Sequence, residues 1–265
     1  MKIHVLASGS KGNATIIEGS GGSLLIDCGL SYKSFKARCV DVGFDPKDLV
    51  AVVLTHEHND HVGGLGVCMR GLAREGLNLP VYATEPTLHG ARVFSETGVA
   101  TQLEAAPLNT VVKCAGMEVV GFKTSHNAAQ PQGFRIACDG VVVGYLTDSG
   151  FMTSEAAELL RDCDILALES NHDLRMLRTG SYPAYLKEHI ASDKGHLSNA
   201  QVNEALVPLI SNCLKAVIGM HLSQENNQPA LVRDAFAATL AKQGHPARVY
   251  AASQFMALTV EAGVS

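Results

Sequence analysis

The chain contains no apolar run of about 18 residues or more, the length a bilayer-spanning helix needs. Residues 1–8 carry no long apolar stretch of the kind that marks a signal peptide. Neither a membrane span, a membrane partner nor a secretory leader is therefore expected. There is no Cys-x-x-Cys pair. The seven cysteines are odd in number and scattered, which excludes a disulfide framework and points to reduced thiols in a cytoplasmic protein. None of them need be a metal ligand. Positive charge is not in excess either: 21 Lys and Arg face 26 Asp and Glu, a net charge of −5. That argues against nucleic-acid binding through bulk electrostatics, while leaving room for local phosphate contacts beside metal ions. No linker, internal repeat or low-complexity tract interrupts the sequence. One domain over residues 1–265 is expected, and with 46 % hydrophobic and 18 % charged residues it can bury a full core.

What the sequence does contain is histidine and carboxylate at the ends of apolar runs. Residues 48–55 read as a buried strand, and His56-Glu57-His58-Asn59-Asp60-His61 follows at once. A loop after such a strand throws its side chains out at the sheet's carboxyl edge, where open α/β sheets carry their sites. His56 and His58, two apart, can be aimed at one point by an extended or turning segment. Asp60 and His61 fall on the far side of the turn, which suits two adjacent metals better than one. Neutral imidazoles and a carboxylate are ligands for zinc or a similar borderline ion.

The same pattern recurs along the chain. Strands are expected at residues 3–6, 14–18 and 23–27, the last ending in Asp27. Between the first two lies Ser8-Gly9-Ser10-Lys11-Gly12-Asn13, which reads equally as a phosphate cradle or a plain turn and lacks the Gly-Lys-Ser/Thr ending of a P-loop. Helices are expected at 31–42 with Ser31 as N-cap, at 62–75 and at 84–96. Short strands follow over 99–122, before His126. A hairpin over 133–146 turns at Asp139-Gly140 and ends at Asp148. After a helix over 153–161, a strand at 164–168 leads into Glu169, a carboxylate that needs a partner or a job if buried. Two short helices over 174–190 precede His196, and a helix over 198–210 follows it. A strand at 215–220 ends in His221. A helix over 228–242, capped at Asn227, and strands at 247–250 and 255–258 close the chain.

The pattern His56-x-His58-x-Asp60-His61 resembles the signature of the metallo-β-lactamase-fold hydrolases. The resemblance runs from Asp27 to His221 and implies a four-layer αββα sandwich with its site at one edge of two sheets. It implies two divalent ions, Zn²⁺ or Mn²⁺, with iron also compatible. His56, His58 and His126 would hold one ion, Asp60, His61 and His221 the other, and Asp148 would bridge them. Asp27 would support the histidine loop through hydrogen bonds. A hydroxide shared by the ions would be the nucleophile. His58 stands where oxygen-reducing di-iron members have glutamate, which argues for hydrolysis.

Within that superfamily, Ser8-Gly9-Ser10-x-Gly12-Asn13, Thr55-His56-x-His58-x-Asp60-His61, Glu169-x-Asn171-His172-Asp173, Gly195-His196-Leu197-Ser198-Asn199 and His221-Leu222-Ser223 are similar to the YycJ/WalJ-like family. Its members are described as DNA exonucleases acting from the 5′ end. The resemblance thus implies a 5′ to 3′ exonuclease with catalytic roles for Asp60, His196 and Glu169. His196 would donate a proton to the leaving group while Glu169 positions it; the plain alternative is that His196 merely caps a helix. Ser8, Ser10, Asn13, Arg175, Arg178 and Lys194 are candidate substrate contacts, with Lys187 in the same cleft-lining group. Lys11, Lys33, Lys36 and Arg38 are further basic candidates near the first loop. A small-molecule cyclic phosphodiesterase shares the metals and would account for the acidic charge. A thioester or lactone hydrolase and a non-catalytic metal-binding module are more distant readings. A homodimer is compatible with the sequence.

Overall fold

The apolar runs become strands covered on both faces, which is why they read as nearly continuous rather than alternating. A computed structural model of the chain describes residues 1–95 and 99–262. In chain order the elements are β1 (Lys2–Ala7), β2 (Ala14–Gly19), β3 (Gly22–Ile26), α1 (Tyr32–Asp41), β4 (Leu49–Val53), α2 (Asn59–Val62), α3 (Leu65–Arg74), β5 (Val81–Ala83), α4 (Glu85–Leu88) and β6 (Leu103–Ala105). The second half holds β7 (Val111–Cys114), β8 (Met117–Lys123), β9 (Gln132–Cys138), β10 (Val141–Leu146), α5 (Ser154–Leu159), β11 (Ile165–Glu169), α6 (Leu174–Thr179), α7 (Ala184–Ile190), α8 (Asn199–Leu206), β12 (Ala216–Met220), α9 (Pro229–Lys242), β13 (Arg248–Ala251) and β14 (Leu258–Glu261).

Two seven-stranded sheets result, in the orders β14-β1-β2-β3-β4-β5-β6 and β13-β12-β11-β10-β9-β8-β7. Side chains two apart share a face. Leu24 and Ile26 therefore join Phe134, Val143, Tyr145 and Ile218 between the sheets. Leu25 points the other way, into a layer with Phe35, Leu65 and Leu72 from α1 and α3. On the second sheet Leu166 and Leu168 pack outward against Leu160, Val202 and Phe236. Three apolar layers between four structural ones make an αββα sandwich. Each sheet has a parallel half: β3 to β6 in the first, β10 to β13 in the second. The carboxyl ends of the parallel strands β4 and β12 carry His56–His61 and His221, while His126 follows the antiparallel β8.

Four local expectations change. The helix expected from residue 62 begins earlier, as α2, so Asp60 and His61 sit on one short helical turn before α3. The helix expected over 84–96 is only α4 and a 3₁₀ turn at Arg92–Ser95, with Gly90 between them; a Cβ on Gly90 would lie 2.5 Å from Glu57 Cγ, so a side chain there would have to displace Glu57. Its last residue, Glu96, lies outside the described residues. The last helix starts after Gln228 rather than Asn227, because the Asn227 amide is turned inward to serve the carbonyls of Ser170 and Asn171. The closing strand is Leu258–Glu261, while Phe255 and Met256 stand exposed in the loop that crosses between sheets. Among the described residues no helix is long and apolar enough to cross a membrane. All seven cysteines are free thiols.

Candidate metal centre and active site

The candidate residues converge because strands of both sheets end at one edge and turn there sharply. Asp27, Asp148 and His221, each just past a strand, have φ of 59°, 56° and 52°. Any residue but glycine pays about 1–3 kcal/mol in this left-handed region, although aspartate and histidine are among those found there most often. The His221 conformation is clamped from both sides: its N–H donates to Ser8 Oγ at 2.7 Å, and its carbonyl accepts from Asn171 Nδ2 at 2.9 Å. The histidine loop is seated as closely. Gly29 lies so near Asp60 that a Cβ would fall 1.8 Å from its carbonyl oxygen.

Four overlapping groups emerge, each with ligand atoms mutually within 4.8 Å: His56, His58 and His126; His56, His61 and Asp148; Asp60, His61 and His221; and Asp148, Glu169, His196 and His221. The imidazole tautomers are set by outer partners. His61 Nδ1 donates to Asp27 Oδ2 at 2.8 Å, and His126 Nδ1 to the Gly195 carbonyl at 2.9 Å. His56 Nδ1 donates to Thr55 Oγ1 at 3.0 Å, whose own proton goes to Asp27 Oδ2 at 2.9 Å. The Nε2 atoms are thereby left for the centre. His126 Nε2 lies 3.3 Å from His58 Nδ1, and His61 Nε2 lies 3.3 Å from Asp148 Oδ2. Asp60 Oδ2 lies 3.4 Å from His61 Nε2 and 3.5 Å from His221 Nε2.

Charge has been concentrated here against the cost of burial. Burial disfavours the charged form of Asp148, but His221, His61 and His56 outweigh it and hold the carboxyl well below its ordinary range. Burial likewise opposes protonation of His221, yet Asp148, Asp60 and Glu169 lift its pKa to about 10. His56, buried and beside His61, is pushed well below the usual histidine value. Several buried ligand-type atoms, His56 Nε2, Asp148 Oδ2 and His221 Nε2, have no hydrogen-bond partner. Such atoms are expensive to leave unpaired. A soft-to-borderline divalent cation is the partner that imidazole nitrogens and carboxylate oxygens in one pocket would satisfy together, so the donor set fits a metal.

The remaining candidates divide. Glu169, fully buried, accepts from His196 Nδ1 at 2.7 Å, Ser149 N–H at 2.9 Å and Leu197 N–H at 3.1 Å. Burial alone would raise its pKa, but His196 and His221 draw it down to about 2. Ser8 and Asn13 are buried and turned to the cluster, Asn13 Nδ2 donating to Asp60 Oδ2 at 3.2 Å; they position cluster residues, and Ser10 is exposed. Lys194 is at the rim, its carbonyl accepting from Asn127 N–H. Arg175 is exposed on α6, and Arg178 and Lys187 line a separate groove with Leu174, Leu177 and Ala184. Lys36 is paired with Glu75 at 2.9 Å. No role is assigned to Thr55, Ser149 or Asn171 from the sequence, although Thr55 and Asn171 stand in the motifs that carry the family resemblance. Because Asp27 fixes His61, Asp27→Asn should lower metal affinity about 10- to 100-fold, read by competition with a chromophoric chelator. Unchanged affinity would remove Asp27 from that role.

A two-sheet α/β sandwich with histidines and carboxylates gathered at one edge defines a class of metal-binding hydrolase folds. A family model described as the β-lactamase superfamily domain matches residues 23–222. The exodeoxyribonuclease WalJ of Streptococcus pneumoniae is 36 % identical over 228 residues, covering 85 % of this chain and 83 % of that protein. The exodeoxyribonuclease YycJ of Bacillus anthracis is 33 % identical over 246 residues, covering 92 % and 91 %. Among solved structures, the metallo-β-lactamase fold protein YhfI of Bacillus subtilis matches with a TM-score of 0.71 at 18 % identity over 98 % of this chain and 99 % of that one. The chain belongs to the β-lactamase superfamily, in the group of the WalJ and YycJ proteins.

Proposed function

We propose that this protein is a metal-dependent phosphodiesterase that degrades DNA from its 5′ end. Two divalent ions, zinc or manganese, would be held by His56, His58 and His126 and by Asp60, His61 and His221, with Asp148 serving both. When bound, they supply a water of lowered pKa and neutralise charge on the phosphate. The observation that carries the phosphodiester reading is the Glu169–His196 pair. The His196 side chain is 18 % exposed at the rim of the cluster and 3.6 Å from Asp148 Oδ1. Its Nδ1 is committed to Glu169, and among the described residues its Nε2 makes no hydrogen bond. A histidine oriented by a buried carboxylate, with one nitrogen free beside the metal donors, suits protonation of an alkoxide leaving group. A thiolate leaving group has little need of it. The two exodeoxyribonuclease relatives, aligned over most of their length, support DNA as the substrate.

The test is a cleavage panel on metal-loaded protein: 5′- and 3′-labelled DNA, bis(4-nitrophenyl) phosphate and a thioester. The expected result is mononucleotide release from the 5′ end with no thioester hydrolysis. Hydrolysis of the thioester alone would overturn the phosphodiester reading. Cleavage of the aryl phosphate with DNA left intact would transfer the reading to a small-molecule phosphodiesterase.

A further inference from the structure

Phe255 and Met256 are 60 % and 71 % exposed, side by side in the loop between β13 and β14. Strand register places that loop. β12 and β13 are parallel, with Gly219 opposite Ala251. His221 and Ser253 each follow by two residues, so the loop leaves the second sheet at the same edge as the metal-ligand cluster. Hydrogen bonds tie it there. Ser8 N–H donates to the Ser253 carbonyl at 3.2 Å, Lys11 N–H to Gln254 Oε1 at 2.9 Å, and Gln254 Nε2 to the Gly12 carbonyl at 2.9 Å. The segment from Ser8 to Asn13 that receives these bonds also holds His221 through Ser8 and Asp60 through Asn13. The loops are packed without a spacer, since a Cβ on Gly9, at φ +141°, would lie 2.8 Å from Gln254 Oε1. Phe255 therefore stands on a fixed base one loop away from the cluster.

Its surroundings have a definite chemistry. The Lys11 ammonium lies 5.6 Å from the ring centre, within cation–π range. Beside the ring is a cleft of about 390 Å³ whose lining includes Leu222, Ser223, Gln224, Glu225 and Asn227. An exposed ring can stack on any nucleobase, because every base has a π-face. Lys11 offers a cation to the adjoining phosphate. Glu225 repels phosphate and so reserves the cleft for a base, whose edge the Ser223 hydroxyl and the exposed Gln224 side-chain amide can bond. Stacking also supplies what a net charge of −5 cannot, an attraction for DNA that does not depend on the overall field.

Resting on the nuclease reading above, we propose that Phe255, Met256 and Lys11 form a stacking platform for an unpaired nucleobase of the DNA strand entering the active site. The chain has no tryptophan, so Phe255→Trp introduces a single tryptophan at the platform, whose emission can be excited apart from that of the tyrosines. Single-stranded oligonucleotide should quench it saturably, and inorganic phosphate should not. On metal-loaded protein, Phe255→Ala and Phe255→Leu should raise KM for single-stranded DNA about tenfold with little change in kcat, as expected for loss of one stacked base; Phe255→Tyr should restore it. Wild-type KM in Phe255→Ala, with no quenching in Phe255→Trp, would overturn the platform while DNA cleavage upholds the nuclease reading. Saturable quenching by a protein that cleaves no DNA would do the reverse, keeping the platform and removing the nuclease.

Discussion

Asp148→Ala is expected to strip metal from the protein and abolish hydrolysis in the same step. The side chain is almost wholly buried, and its two oxygens lie 3.2 Å from His221 Nδ1 and 3.3 Å from His61 Nε2. It stands in two of the four ligand groups, linking the His56 side of the cluster to the His221 side. Removing it takes a shared anion from any cations bound on either side and leaves buried imidazoles facing one another. The expected loss exceeds the about 10²–10³-fold cost of deleting one transition-state donor. Metal content of the purified variant, set beside its activity, is the measurement. Normal stoichiometry with full activity would sink the proposal that Asp148 serves both ions. Asp148→Asn makes a second arm, because it keeps the volume and the left-handed turn while removing the charge.

His196→Ala should behave differently, retaining metal but losing about 10²–10⁴-fold in rate on DNA, the usual worth of a general acid. The distinction rests on geometry. His196 is the more exposed partner of a pair whose other member, Glu169, is sealed in the interior. Glu169 also accepts two backbone N–H groups, so it is fixed in place whether or not His196 is present. On bis(4-nitrophenyl) phosphate, whose leaving group is a weak base, the same substitution should cost far less. Equal losses on both substrates would argue against proton donation. Loss of metal would make His196 a ligand alongside Asp148, Glu169 and His221, the grouping that the distances also permit.

How much of this was legible beforehand depended on what each residue does. His56, His58, His61, His126, Asp148 and His221 each sit just after, or a few residues beyond, an apolar run, and a strand buried on both faces has to deliver its next side chain to the sheet edge. The sandwich, and the meeting of these residues at one edge, came from the family resemblance, since the runs alone do not say which strands pair. Three supporting residues were hidden because their partners are remote along the chain. Thr55 acts through Asp27, 28 positions away, and Asn171 through His221, 50 positions away; no periodicity encodes such a contact. Ser149 contributes a backbone N–H to Glu169, which any residue could supply. Phe255 and Met256 read as the start of a strand because apolar residues there look like a buried run. The chain has instead to cross between sheets at that point, which puts them in solvent. Arg178 and Lys187, expected over the cleft, lie in the groove between α6 and α7, since α6 turns away after Asp173 caps it through the Met176 N–H.

The division of the donors between the two sheets bears on how the molecule is made. His56, His58, Asp60 and His61 follow β4 of the first sheet; His126, Asp148 and His221 follow strands of the second. Neither half of the polypeptide owns a complete set, and the last strand, β14, returns to pair with β1 in the first sheet. With metal held by this proposed set, high-affinity uptake is expected late in folding, available only to chains whose halves have met. The fraction of tightly held metal in a preparation accordingly reports the fraction correctly assembled. Either half expressed alone should hold metal only weakly, and mixing the two should restore uptake in proportion to the sandwich re-formed.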